Sequence, residues 1–200
     1  MFYYVGIKMK INKNLFDLKD YILVLENIVP SSLSKNILKE YKNSNEWTDP
    51  YIEVGKINKD QRNCNIIEIS KNTTLLKNLK NRKKIDEDIY TCVKRIILNY
   101  NQKFKHCRVS KDSGYNLLRY EKNNFYHEHV DSFTEIPRTL SCSLILNDEF
   151  KGGEFSFFNN EIIYNLKKGS AIIFPSNFLY PHSVLPIISG TRYSIVTWFL

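Results

Sequence analysis

The chain has 200 residues, 42% of them hydrophobic and 25% charged, with a formal charge of +8. That length suits one domain able to bury a real core, and 7 Gly with 6 Pro leave little room for a flexible linker. The charge is uneven: residues 1–111 hold 22 Lys/Arg against 12 Asp/Glu, and residues 112–200 hold 7 against 9. A basic first half can meet nucleic acid, a ribosome or an acidic protein. However, Lys outnumbers Arg 22 to 7 and Asn and Ile are abundant, which AT-rich coding alone produces. No Arg-rich stripe with interleaved aromatics marks a nucleic-acid groove. The opening MFYYVGIKMK is too short, and charged too early, for a signal h-region or a membrane span. Cys64, Cys92, Cys107 and Cys142 form no C-x-x-C pair and read as reduced thiols of a cytoplasmic protein.

In chain order, residues 21–29 (YILVLENIV) read as a strand rich in branched residues. Pro30-Ser31-Ser32 then supplies a stop and a helix cap, with Leu33, Ile37, Leu38 and Tyr41 at helical spacing. Residues 44–65 read as irregular, and NIIEIS at 65–70 as a short strand. Residues 74–105 form a long helical pattern through Leu75, Leu79, Ile89, Val93, Ile96, Ile97 and Tyr100, with NRKKIDED as a solvated face or a break. After residue 106 short apolar runs alternate with turn signals, as in a sandwich or barrel. The predicted fold is mainly β with N-terminal helices (α+β), the helices covering one sheet and the other face left for a site. One domain spans 1–200, with 1–107 as a supporting region and 108–200 as a β core.

His129-Val130-Asp131 is the first sharp feature. Side chains two apart on an extended segment point the same way, so both can reach one ion. His182 follows in LYPHSVLP, just past the apolar run AIIFP. Two imidazoles and one carboxylate on one face of an ion form the facial triad of non-haem Fe(II) oxygenases, although the same three residues also suit catalytic zinc. Arg192 lies ten residues later in the apolar run TRYSIVTWF. In a barrel interior an unpaired guanidinium is costly, and the distal carboxylate of 2-oxoglutarate would satisfy it with two parallel hydrogen bonds. A protein carboxylate or solvent is the plainer alternative, and zinc hydrolysis does not explain Arg192.

Three ordered blocks, LLRYEKNNFYHEHVDS, RTLSCSLILNDEFKGGEFSFF and GSAIIFPSNFLYPHSVLPIISGTRYSIVTWF, resemble the prolyl 4-hydroxylase-like branch of the Fe(II)/2-oxoglutarate-dependent dioxygenases. The likeness covers about 108–200, with a fainter echo near 21–43. It implies a double-stranded β-helix (jelly-roll, cupin-like) with iron held by His129, Asp131 and His182. It also implies that Arg192 binds the 2-oxoglutarate C5 carboxylate, helped by Tyr120 and by Thr191 or Thr197. Tyr126 and Trp198 then line the substrate entrance, where aromatic core packing is the plain alternative, and Arg62 approaches from an N-terminal loop. Fe(2+) and 2-oxoglutarate are the implied cofactors, with L-ascorbate as reductant. The implied reaction hydroxylates a prolyl residue in a protein or peptide, releasing succinate and CO2. The alternatives are a lysyl or free amino-acid hydroxylase, or a non-catalytic jelly-roll binding module. A nucleic-acid substrate is disfavoured because no second Arg follows Arg192. Asn123 replaces the family's turn glycine, and Asn tolerates the left-handed region. By period two His127 shares the side of His129, as a group behind the metal ligands or a plain loop histidine. His106 reads as surface.

Overall fold

A computed structural model of the protein describes residues 17–52, 56–72 and 80–200. The opening segment 1–10, Leu75 and Leu79 lie outside the described residues. A 3-10 turn, Leu18–Tyr21, leads into β1 (Leu23–Leu25) and then α1 (Ser31–Tyr41). The strand expected over 21–29 is therefore only three residues long. Asn27 turns the chain at φ 55°, and the N–H groups of Ile28 and Val29 donate to the Gly169 carbonyl instead of extending the ladder. Pro30 occupies the N-cap and no side chain caps the helix, so the two serines lie inside its first turn rather than capping it.

The short strands β2 (Arg62–Asn63) and β3 (Asn65–Glu68) and the single-turn helix α2 (Ile69–Asn72) precede α3 (Lys80–Lys103). NRKKIDED lies in the first turns of α3 without a break. It presents charges outward while Ile85 is buried. Ile85, Ile89, Cys92, Val93, Ile96, Ile97 and Tyr100 form one stripe at helical spacing, and Leu33, Ile37 and Tyr41 of α1 pack against it. Each large apolar side chain fully buried here contributes roughly 1.5–3 kcal/mol.

The remaining chain is β4 (Asn116–Tyr120), β5 (Phe125–His129), β6 (Leu140–Ile145), β7 (Phe150–Gly152), β8 (Phe155–Phe157) and β9 (Ile162–Tyr164). It closes with β10 (Ala171–Pro175), β11 (His182–Val184), β12 (Ile187–Gly190) and β13 (Arg192–Phe199). The larger sheet has the order β1-β10-β6-β13-β4-β3 and the smaller β2-β5-β11-β8-β9; β12 and β7 form a separate ribbon. All pairs are antiparallel and non-consecutive strands are neighbours, which is the jelly-roll arrangement expected. Among the described residues no helix is long and apolar enough to cross a membrane.

Alternation divides the larger sheet into two faces. On β6, Leu140, Cys142 and Leu144 join the core beneath the helices, while Ser141 and Ser143 line a cavity between the sheets. On β13, Tyr193, Ile195 and Phe199 face the helices, while Arg192, Ser194, Val196 and Trp198 line the cavity. The helices thus back the sheet that carries Arg192, while β5 and β11 of the smaller sheet carry His129 and His182. Gly153 holds φ +71°, and a Cβ there would lie 2.5 Å from Ile187 Cδ1 and 3.0 Å from Arg192 Cδ. Gly153→Ala should therefore lower stability by about 1–3 kcal/mol, from left-handed strain and overpacking, and urea unfolding measures it. A neutral result would contradict the close approach of this turn to Arg192.

Candidate metal centre

His129 ends β5 and His182 begins β11, and the two are direct register partners. Between this pair and the next, Val184 with Tyr126, β5 carries one residue more than β11, a β-bulge. The bulge lets both Tyr126 and His129 face the cavity and turns His127 out to solvent, so period two does not hold there. His127 nevertheless serves the centre through its backbone: His129 Nδ1–H donates to its carbonyl at 2.8 Å. His182 Nδ1–H donates to the Tyr180 carbonyl at 3.1 Å. A carbonyl only accepts, so each bond sets the tautomer that leaves Nε2 bare for a metal.

Those Nε2 atoms converge on Asp131. His129 Nε2 is 3.5 Å from Oδ1, and His182 Nε2 is 3.5 Å from Oδ2. The three ligand atoms all lie within 4.8 Å of one another, so the group can hold a metal ion. Asp131 is fixed from behind: its N–H and that of Ser132 donate to the Ser176 carbonyl, and Ser141 Oγ–H donates to Oδ2 at 2.6 Å. Ser176 Oγ lies 2.7 Å from Ser141 Oγ, and Arg138 Nη1 donates to the Asp131 carbonyl at 3.1 Å. Burial by itself would raise the Asp131 carboxyl. The His182 and His129 imidazoles with the Ser141 hydroxyl overcome it and hold the group ionised, well below the usual carboxylate range. His182 is pushed down to about 4, by burial first and then by the neighbouring His129, so it stays neutral and ready to ligate.

The cavity holding the centre has a volume of about 480 Å³. Arg192 lines it with only 2% of its surface exposed. Its Nη1 donates to Ser194 Oγ at 3.1 Å, whereas Nη2 has no partner. No described carboxylate pairs with it, which removes the plainer alternative for this residue. Tyr120, its register partner on β4, is equally buried, with Arg192 Cζ 5.5 Å from the ring centroid. A buried cation with an orphaned donor fits an incoming carboxylate, and two imidazoles with a carboxylate fit Fe(II).

Tyr126, Trp198 and Arg62 also line the cavity. Tyr126 stacks on His129 at 3.4 Å between centroids, so its ring supports that imidazole as well as the wall. Thr191 and Thr197 do not line the cavity. Thr197 has the parity of Ile195 and Phe199 and faces the helices, and Thr191 precedes β13 with its carbonyl bonded by Asn147. Ser194 is the hydroxyl that reaches Arg192 instead. Asn123 holds φ 67°, so the turn survives without its glycine, and His106 is exposed. Sequence reasoning missed Arg138, Ser141 and Ser176. Only the serines alternating with apolar residues in LSCSLI carry a signal.

A jelly-roll with two histidines and a carboxylate converging in its cavity defines the class. Residues 115–200 match the family model of the 2OG-Fe(II) oxygenase superfamily, so the likeness read from the sequence holds over that segment. A PKHD-type hydroxylase of Prochlorococcus marinus (strain MIT 9215) is 39% identical over 79 residues, covering 36% of this chain and 35% of the relative. A putative prolyl 4-hydroxylase of Acanthamoeba polyphaga mimivirus is 29% identical over 103 residues, covering 42% and 43%. The matches thus span less than half of these curated relatives. Among solved structures, a prolyl hydroxylase from Trichoplax adhaerens, in complex with a hypoxia inducible factor oxygen degradation domain peptide, superposes with TM-score 0.74 at 18% identity. It covers 90% of this chain and 83% of that one. A Pseudomonas putida prolyl-4-hydroxylase gives 0.66 at 19%, covering 90% and 91%. At those identities the structures speak for the fold.

The metal-free site should lose stability in acid. His182 titrates at about 4 when folded against an ordinary 6.5, so the unfolded chain takes up this proton first. The same sign holds for Asp131, whose folded value is depressed. Stability should therefore fall as pH drops from 6.5 towards 4. Urea midpoints against pH would show it, with a shallower slope in His182→Asn. Equal slopes would remove His182 from the account.

Proposed function

We propose that this chain is an Fe(II)- and 2-oxoglutarate-dependent dioxygenase that hydroxylates a prolyl residue in a protein or peptide. The observation that carries the reading is the pairing, in one cavity, of a three-ligand centre with a buried guanidinium that lacks a counter-ion. The 2OG-Fe(II) oxygenase match over residues 115–200 supports it. The prolyl substrate rests on the relatives, which include prolyl hydroxylases. A lysyl residue or a free amino acid is the alternative within the same chemistry. We assign residues 108–200 to catalysis and the helices to support of the larger sheet, and ascorbate as the reductant. The cytoplasm suits four free cysteines.

His129, Asp131 and His182 would hold the iron and Arg192 the distal carboxylate of 2-oxoglutarate. Together, metal and cosubstrate supply the oxidising power to place one oxygen atom of O2 on an unactivated C–H carbon, with succinate and CO2 released. The chain's own work is positional. The carbonyls of His127 and Tyr180 keep both imidazoles in the ligating tautomer. Ser141 and the Ser176 carbonyl stop Asp131 from rotating away. Arg192 and Ser194 set the depth to which a dicarboxylate enters. Phe155, its ring centroid 5.3 Å from Arg192 Cζ, together with Phe174 and Val184 gives the cavity an apolar wall that disfavours water.

Succinate release should require Fe(II), O2 and 2-oxoglutarate together, and should rise with a prolyl peptide. No iron-dependent release from folded protein would overturn the reading. Arg192→Ala should weaken 2-oxoglutarate binding roughly 100-fold, the loss of two charge-assisted hydrogen bonds. Metal binding by titration should stay close to wild type; unchanged cosubstrate affinity would release Arg192 from its role.

A further inference from the structure

Arg192 accounts for one buried cation in the cavity, but a second has no assigned counter-ion. Arg62 enters from β2, the edge strand beside β5, and is 7% exposed. Its Cζ lies 4.6 Å from the Tyr126 ring centroid, and Tyr126 in turn stacks on His129. Arginine, tyrosine and metal ligand thus form one continuous stack. Nη1 donates to the Tyr51 carbonyl at 3.3 Å, and Nε has no partner. No described carboxylate pairs with Arg62. The groups that act on its charge are Cys64, Tyr120 and Tyr126. Both phenols stay protonated at neutral pH, because burial pushes Tyr126 up to about 12 and Tyr120 higher.

Arg138 lines the same cavity. Its Cζ lies 3.7 Å from the Trp198 ring centroid, and Nη1 donates to the Asp131 carbonyl. Arg62 and Arg138 are close enough to repel one another, and both act on Tyr126. The carboxylates on the cavity wall are committed elsewhere. Asp49 binds Lys59 at 2.8 Å, Glu68 is already engaged, and Asp131 belongs to the metal centre. Arg138 is half-buried and has Asp131 acting on its charge, whereas a desolvated cation such as Arg62 without a carboxylate is costly unless an anion arrives.

We propose that the substrate brings a carboxylate of its own into this cavity, received by Arg62 beside Tyr126. The inference rests on the dioxygenase reading, since Arg192 must be reserved for the cosubstrate. It narrows the substrate to a molecule with a carboxylate close to the carbon that is oxidised. Two sources share that chemistry: the α-carboxylate of a free amino acid, and an Asp or Glu side chain next to the target residue of a peptide. Guanidinium selects a carboxylate over its amide because only the anion offers two charged acceptors to the planar fork.

The test is anaerobic binding to protein loaded with Fe(II) and 2-oxoglutarate, read by calorimetry. L-Proline and L-lysine are compared with their amides. N-acetylated peptide amides carrying Pro-Asp or Lys-Asp are compared with the Pro-Asn and Lys-Asn versions. The acid form should bind at least about tenfold tighter in one arm, and that arm identifies the source. The preference should vanish in Arg62→Met and return only in part in Arg62→Lys, which keeps the charge without the fork. Equal binding of acid and amide in both arms, or no binding in either, overturns the proposal on the wild-type protein alone. A preference that survives Arg62→Met overturns the assignment to Arg62. Cosubstrate binding in the anaerobic wild-type samples, and basal succinate release once O2 is admitted to them, report separately on the dioxygenase reading.

Discussion

The antiparallel contact between β5 and β11 is the constraint from which the site follows. It is short, yet it sets His129 against His182 across the ladder and turns both side chains into the cavity. The bulge beside it brings Tyr126 to the same side three residues earlier. A regular strand would instead have placed His127 there. Because the chain then returns under Ser176, Asp131 arrives between the two imidazoles with its carboxylate already bonded to Ser141. The imidazoles are thus held by carbonyls two residues back and Asp131 by segments distant in sequence, and a metal would meet a preorganised set.

The larger sheet makes this arrangement rigid because its two faces do different work. Leucines and isoleucines of β6, β10 and β13 lock one face to α1 and α3. The intervening positions are serines, an arginine and aromatics around the cavity. A polar side chain on the cavity face is thereby anchored by apolar neighbours one residue away. Gly153 belongs to the same arrangement, since any side chain there would press on Arg192.

The electrostatic character of the cavity follows from burial. One carboxylate and two imidazoles converge within it, and Arg192, also buried, lacks a partner for one of its nitrogens. Arg62 repeats that pattern beside Tyr126. A cavity with this balance favours anionic guests, and the positions of the cations separate where two of them would sit.

Much of this was legible in the sequence for local reasons. A His-x-Asp on an extended run needs only two residues to declare a shared side, and an arginine in an apolar strand announces a buried charge. Alternation identified most strands of the β core, and helical spacing identified α1 and the described part of α3. The bulge at His127–Glu128, the serine brace behind Asp131 and the approach of Arg62 to Arg138 carried no such sign. They depend on pairing between segments far apart in the chain, and no local propensity encodes it. The choice of Ser194 rather than Thr197 beside Arg192 was likewise decided by the fold. A strand's two faces are alike in sequence terms until something packs against one of them, and here α1 and α3 settled which face became the cavity.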